Sequence, residues 1–271
     1  LIVLGRAYTN KRTADGDPTA TATDGVGTIE GLAPGDNRHL YGMPIGQEMN
    51  DDNSGVLRYV SLRHGGQIIG ANNEINGLTL GGVGKGTSID HVEVISNLDD
   101  GFEMFGGTVD LKNLVAAHCD DDYIDWDQGY NGRLQFIYGI QGPDNSGGAN
   151  NQGDNAFECD SDDAATNFGN GGLRSTPVVY NATIIARNLN DEALEMKERT
   201  QGKVINSIFA RFARGLNMTT ECAGFWNANQ MEVRNCTFQE VGTPLRINNV
   251  VPAPGSPEQT KFAADGNLSV G

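Results

Sequence analysis

Two short phrases recur along this chain, and their recurrence constrains the fold more than any other feature of the sequence. The first is a β-branched stretch of alternating polarity. The second reads acid, acid or amide, any residue, apolar, acid, apolar, and it begins at Asp99, Asp121, Asp154 and Asp191. Alternation over a few residues is typical of a strand. Copies of the first phrase lie at 56–62, 89–95, 111–117, 134–140, 179–185, 204–209 and 233–238.

The copies of the acidic phrase are separated by 22, 33 and 37 residues. The first spacing suits one coil of a parallel β-helix, and the longer ones suit a coil with an inserted loop. Each coil of a solenoid packs only on its neighbours, so like residues stack about 4.8 Å apart. The fold class is therefore predicted to be all-β, a right-handed parallel β-helix (solenoid) with coils of about 22 residues and inserted loops. One expected column is Asn113, Asn181, Asn206 and Asn235.

The pattern indicates a single β-helix domain over 1–271. Within it, we expect irregular N-terminal coils at 1–50, regular coils at 51–242, and a C-terminal coil or tail at 243–271. The chain opens inside an apolar run at Leu1, which suggests a fragment of a longer secreted protein. Two polar, Gly-rich and Asn-rich segments are predicted to form protruding loops, 141–153 and 160–176.

The charge of the chain excludes some partners. The formal net charge is −16 and the isoelectric point is about 4.5, which excludes nucleic acid as a partner because phosphate binding needs clustered Lys and Arg. The sequence holds no apolar stretch of about 18 residues, so membrane insertion is not expected.

The four cysteines contain no CxxC pair, so a structural zinc site is not expected. Their even number favours disulfides and an oxidising compartment. The most local pairing is Cys222 with Cys236, which leaves Cys119 with Cys159, and free buried thiols are the alternative.

Carboxylates that stack along the acidic phrase would repel one another, by about 3.5 kcal/mol per pair at 4.8 Å and an effective dielectric of 20. Ca²⁺ would offset this repulsion, since it takes six to eight oxygen ligands in flexible geometry. A solvated acidic face without a tightly bound ion is the alternative. The candidate metal ligands are Asp99, Asp100, Glu103, Asp121, Asp122, Asp125, Asp127 and Glu158.

Other residues suggest carbohydrate binding or cleavage. Tyr123 and Trp126 could form a platform for a sugar ring, with Arg133 as a basic neighbour. Trp126 also takes the place of an apolar residue in the phrase, which fits packing equally well. Carboxylate pairs such as Asp100 with Asp122 could hydrolyse a glycosidic bond. A lyase would need a base such as Lys197 beside a calcium-neutralised uronate.

Two stretches, Asn73–Gly84 and Asp99–Val109, resemble large secreted or cell-surface parallel β-helix proteins of Bacteroidota-type bacteria. These proteins share the pectate-lyase-like superfold, and most have no assigned activity. The resemblance covers about residues 1–185 and is most specific over 54–140. It implies the fold and a secreted or cell-surface location more than a reaction.

The sequence therefore favours an extracellular or cell-surface β-helix module that acts as a scaffold, adhesin or glycan-binding element and is stabilised by Ca²⁺. Its expected partners are carbohydrate or another cell-surface protein. Two alternatives stay open. One is a polysaccharide-degrading enzyme, either a calcium-dependent lyase or a two-carboxylate hydrolase. The other is a filament or surface-layer subunit, because uncapped ends of a β-helix can stack.

Overall fold

The chain forms two long parallel sheets that share one core. The computed structural model describes residues 1–11, 24–29, 32, 36–69, 75–142, 153–161, 174–187 and 191–271. Most of the two predicted loops at 141–153 and 160–176 lies outside these residues.

Sheet A has eight parallel strands. Numbered along the chain and given in spatial order, they are β1 (Ile2–Leu4), β5 (Leu78–Gly81), β7 (Phe102–Phe105), β9 (Ile124–Asp127), β11 (Phe157–Cys159), β13 (Glu192–Met196), β16 (Arg214–Met218) and β19 (Thr243–Ile247).

Sheet B has ten parallel strands, two of which lie off its main path. The main path runs through β4 (Val56–Arg63), β6 (Ser88–Ile95), β8 (Leu111–Ala117), β10 (Arg133–Ile140), β12 (Val178–Ile185), β15 (Ile208–Ala210), β18 (Thr237–Gln239) and β20 (Leu268–Val270). Off this path, β14 (Lys203–Ile205) pairs with β12 and with β17 (Glu232–Arg234).

The remaining elements lie in the first 42 residues and near the C-terminus. They are the antiparallel pair β2 (Val26–Thr28) and β3 (Leu40–Gly42), a 3-10 turn (Asn37–His39), and the helices α1 (Thr220–Asn227) and α2 (Pro257–Ala264). No helix in the described part of the chain is long and apolar enough to cross a membrane.

From β4 onward, the chain returns to each sheet once per coil, which makes the fold a parallel β-helix, as predicted. Phe102 pairs with Ile124, Ile124 with Phe157, and Phe157 with Leu194. These are the register positions predicted by the 22-, 33- and 37-residue spacings of the acidic phrase. Parallel crossovers of this kind are right-handed in nearly all known proteins. Residues 243–271 add a further coil, since β19 joins sheet A and β20 joins sheet B.

The core is a continuous stack of inward side chains between the sheets. Four phenylalanine rings follow one another along it. Phe157 meets Phe209 edge-on with ring centroids 6.0 Å apart, Phe209 stacks on Phe238 at 5.7 Å, and Phe238 contacts Phe262 at 5.4 Å. The first three rings are completely buried, and Phe262 of α2 is 6% exposed. Helix α2 therefore covers the C-terminal end of the stack.

The predicted asparagine column lies in sheet B, and its members share a backbone conformation. Asn113, Asn181, Asn206 and Asn235 all have φ between 54° and 61°. This left-handed region is uncommon for residues other than glycine, and asparagine tolerates it best. The column marks a bend in each coil, and in the later coils it divides the strand, as between β14 and β15.

The disulfide prediction is wrong for this structure. All four cysteines are free and buried. Cys159 points into the core from β11, while Cys222 lies in α1. A free cysteine behaves as a small apolar side chain, and these four act as packing residues. The case for an oxidising compartment therefore has no support from disulfides.

Candidate functional site

Acidic side chains line up on the outer side of sheet A. Strand alternation points Phe102 and Met104 into the core, so Glu103 between them points outward. The pairing places Asp125 beside Glu103, then Glu158 beside Asp125. Glu103 and Asp125 are nevertheless only 6% and 8% exposed. A row of carboxylates is therefore held largely away from water.

A second column of residues lies two positions before each of these strands. In it, backbone amides donate hydrogen bonds to the side-chain oxygens of the preceding coil. The amide of Asp122 donates to Oδ1 of Asp100 at 2.9 Å, and the amide of Asn155 donates to Oδ1 of Asp122. The amide of Glu192 then donates to Oδ1 of Asn155 at 3.3 Å. Each rung needs only an acceptor oxygen, so Asn155 serves as well as an aspartate. Asp100 and Asp122 are 6% and 2% exposed.

The two columns meet at three buried carboxylates, Asp100, Glu103 and Asp125, which we call the buried triad. One oxygen from each lies within 4.8 Å of the others. Three negative charges at that separation repel by at least about 3.5 kcal/mol per pair at an effective dielectric of 20. Such a group is stable only when protons or a cation reduce its charge.

Two buried oxygens near the triad lack hydrogen-bond donors among the described residues. They are Oδ1 of Asp125 and Oδ1 of Asn76. Asn76 is 3% exposed, and its Nδ2 donates to Oε2 of Glu103. An unsatisfied buried acceptor costs about 1–3 kcal/mol. Three carboxylates and an amide oxygen therefore form a site made of oxygen ligands alone.

Burial controls the protonation of the triad and its neighbours. It is the main cause that raises the pKa of Asp100, Asp122 and Asp125 well above the ordinary aspartate value, and the charges of nearby carboxylates add to it. These groups therefore hold their protons more tightly than ordinary aspartates do when no cation is bound. A bound cation would release those protons, since it stabilises the ionised form.

Two further acidic groups flank the triad. Asp99, Asp100 and Asp121 bring carboxylate oxygens within 4.8 Å of one another, and so do Asp121, Asp122 and Asp154. Asp121 and Asp154 are exposed. These two groups are open to water, whereas the triad is not.

The remaining predicted metal ligands have other partners. Glu158 accepts a hydrogen bond from Nζ of Lys197 at 2.6 Å. Asp127 is half-buried at the end of β9 and accepts from the amide of Gln128. Nearby acidic groups raise the pKa of Lys197 further above the ordinary lysine value, although burial opposes this. These acidic groups favour the protonated form of Lys197, whereas the base of a lyase must be neutral to accept a proton.

The predicted sugar platform is not available. Tyr123 and Trp126 are both completely buried, so neither ring can stack on a ligand. Trp126 packs on Phe157 and donates from Nε1 to Oγ1 of Thr200 at 3.1 Å. Arg133 lies on sheet B, where it is exposed and pairs with Asp110. The alternation of sheet A places Trp126 inside, in the column of Met104 and Cys159.

Sequence reasoning missed Asn76 and the basic residues that end the acidic columns. Asn76 occupies the register position that Asp100 occupies one coil later. This copy of the phrase has no acid at the position of Asp100 or at that of Glu103. Glu192 pairs with Arg214 at 2.8 Å and with Arg246 at 3.0 Å, from the next two coils. Aligning 76–80 and 214–218 with the acidic phrase would have identified Asn76 and Arg214.

A pH dependence follows from two acids outside the triad. Burial raises the pKa of Asp160 to about 9 and that of Asp191 to about 7. Both values lie above the unfolded value of about 4, so their stabilising effect is complete below pH 4 and is lost as the pH rises through 7 and then 9. In EDTA, the free energy of unfolding should fall over this range by up to about 1.4 kcal/mol per pH unit for each group.

Asp160→Asn should remove the contribution of Asp160 to this fall, which is the only one of the two left between about pH 7 and pH 9, because the amide cannot ionise. Urea unfolding at a series of pH values measures the effect. Asp51→Asn is the control, since Asp51 is exposed and pairs with the exposed Lys85 at 2.9 Å. Equal slopes for Asp160→Asn and the wild type would show that Asp160 does not titrate there.

Comparison with known proteins identifies the domain but not an activity. A family model described as a pectate-lyase-like beta helix domain matches residues 1–267. No curated protein and no solved structure matches the chain.

Proposed function

Because this chain belongs to the pectate-lyase-like β-helix family, we propose that it is a calcium-stabilised structural module of a secreted or cell-surface protein. The observation that carries the proposal is the buried triad with its unsatisfied oxygen. Oδ1 of Asp125 is buried, has no donor among the described residues, and belongs to a set of carboxylates within 4.8 Å.

The chemistry of the site favours calcium among the common metal ions. Asp100, Glu103, Asp125 and Asn76 offer only oxygen atoms, which suit hard cations. Zinc prefers nitrogen and sulfur ligands in a tetrahedron. Magnesium requires near-ideal octahedral geometry and keeps much of its water. Calcium accepts irregular geometry and six to eight oxygens, so it suits ligands that come from successive coils.

A cation here would join three coils through their side chains. Asn76 precedes β5, Glu103 lies on β7, and Asp125 lies on β9. Coils of a solenoid hold together only through contacts with their neighbours, so an ion shared by three coils strengthens the stack where carboxylates would otherwise weaken it. The module would then act as a scaffold, or as an element that presents its faces to carbohydrate or another cell-surface protein.

Calcium content tests the proposal directly. The protein is stripped with EDTA, dialysed against calcium with excess magnesium, and assayed by atomic emission. Asp125→Asn should hold about one ion fewer per chain than the wild type, because it removes a charged ligand. Asp51→Asn, which removes the same charge at an exposed site, should match the wild type. Equal calcium content in the wild type and Asp125→Asn would overturn the proposal.

A further inference from the structure

Sheet B carries exposed aromatic rings on its outer side. Tyr59 is 78% exposed, Phe136 45%, Tyr138 41% and Tyr180 38%. The ring of His91 stacks on Tyr59 with centroids 4.5 Å apart. We call these five residues the aromatic face. They contribute little to the core, so core packing does not account for them.

The backbone makes three of these residues unusual. Tyr59, His91 and Phe136 occupy the bend column that elsewhere holds asparagine, and their φ values are 54°, 53° and 61°. A bulky side chain with positive φ is a genuine outlier and costs about 1–3 kcal/mol. Asn113 and Asn181 occupy the same column in flanking coils. The chain thus keeps strained, exposed rings where asparagine would fit better, and such strain is typical of functional sites.

The rings lie in a line along the axis of the solenoid. Tyr59, His91, Asn113, Phe136 and Asn181 follow one another on adjacent strands from β4 to β12. Adjacent strands are about 4.8 Å apart, so Tyr59 and Phe136 are separated by about 14 Å. Rings and amides therefore share a straight path that a linear polymer could follow.

The charges of sheet B indicate what kind of polymer fits. Several of its cationic groups are neutralised by neighbours on the same sheet: Arg63 pairs with Glu93 at 2.7 Å, and Lys203 with Glu232 at 2.6 Å. Lys112 lies over the ring of Phe136, with Nζ 5.3 Å from its centroid. The acids that dominate the chain concentrate on sheet A instead. An uncharged partner suits this surface, and the net charge of −16 opposes a polyanion.

We propose that the aromatic face binds an uncharged polysaccharide that lies along the axis of the solenoid. Sugar rings present flat C–H surfaces to aromatic rings and hydroxyl groups to amides, and Phe136 and Asn181 on neighbouring strands offer both. Tyr138 and Tyr180 broaden this surface beside Phe136, because β10 and β12 are adjacent. The inference does not depend on the calcium site, which lies on sheet A.

Native gels that contain a polysaccharide test this proposal with EDTA present throughout. The polymers are hydroxyethyl cellulose, galactomannan and xylan, with polygalacturonate as the charged comparison. The wild type should be retarded by at least one uncharged polymer. Tyr59→Asn/Phe136→Asn should bind at least about tenfold more weakly, yet melt at the same or a higher temperature, because asparagine relieves the backbone strain. Ile208→Thr is the matched control, since Ile208 is 45% exposed on the same sheet.

Three outcomes would overturn the proposal. They are no retardation of the wild type by any uncharged polymer, equal retardation of Tyr59→Asn/Phe136→Asn, and retardation by polygalacturonate alone. Light scattering adds a fourth, because a wild-type dimer that the double variant abolishes would make this face a contact between two copies of the chain. Since EDTA is present, the result is independent of whether the triad binds calcium.

Discussion

Phe209→Ala should lower the free energy of unfolding by about 3–5 kcal/mol. Phe209 is completely buried, and its ring contacts Phe157 on one side and Phe238 on the other. Alanine would leave a cavity that its neighbours cannot close without breaking the register of several coils. Urea unfolding followed by circular dichroism measures the loss.

The position of Phe209 also predicts a change in cooperativity. Coils in a solenoid are coupled only to their neighbours, so a cavity at β15 weakens the link between the last coils, which carry β18 and β20, and the coils before them. Phe209→Ala should therefore unfold over a broader transition with a smaller m-value. Ile208→Thr, which changes the exposed preceding residue, should shift stability by about 0.5 kcal/mol or less. A loss below about 1 kcal/mol in Phe209→Ala would contradict the packing described above.

Saturating calcium should raise the stability of the wild type by about 2.7 kcal/mol at 100 times its dissociation constant. Asp125→Asn should abolish this gain. In EDTA the same variant should be more stable than the wild type, because it removes a buried carboxyl and its repulsion of Asp100 and Glu103. Asp125→Asn should thus be less stable than the wild type in saturating calcium and more stable than the wild type in EDTA.

Thermal unfolding in calcium and in EDTA, at matched ionic strength, measures both effects. Magnesium in place of calcium controls for general screening of the acidic surface, and it should produce a much smaller shift. Asp51→Asn should respond to calcium as the wild type does. A full calcium shift in Asp125→Asn would place any stabilising ion elsewhere, such as the exposed group of Asp121, Asp122 and Asp154.

The register of sheet A could be predicted from the sequence because each acidic phrase keeps its apolar residues at fixed positions. Phe102, Ile124, Phe157 and Leu194 must all point inward, and a shift of one residue would turn them to water. Loop lengths between coils do not disturb this pattern. The acidic columns follow from the same alignment, and all three residues of the buried triad are among the eight candidate metal ligands that the sequence predicts.

The sequence could not predict how deeply these side chains are buried. Glu103 and Asp125 point away from the core and would be expected to be exposed, yet they are buried. Trp126 stood among acids and suggested a sugar platform, although its column already indicated packing. The aromatic face was missed because the significance of Phe136 depends on its backbone conformation. Its one signal in the sequence is that it replaces asparagine between Asn113 and Asn181.

The four buried thiols could report on the unfolding of individual coils of this solenoid. Burial raises the pKa of Cys119 to about 12 and those of Cys222 and Cys236 to about 11, and it raises the pKa of Cys159 well above its usual value. Alkylating reagents react with the thiolate, so each cysteine stays unlabelled while its own coil is folded. The order in which the thiols become labelled would therefore reveal which coils unfold locally first, and no reporter group would need to be introduced.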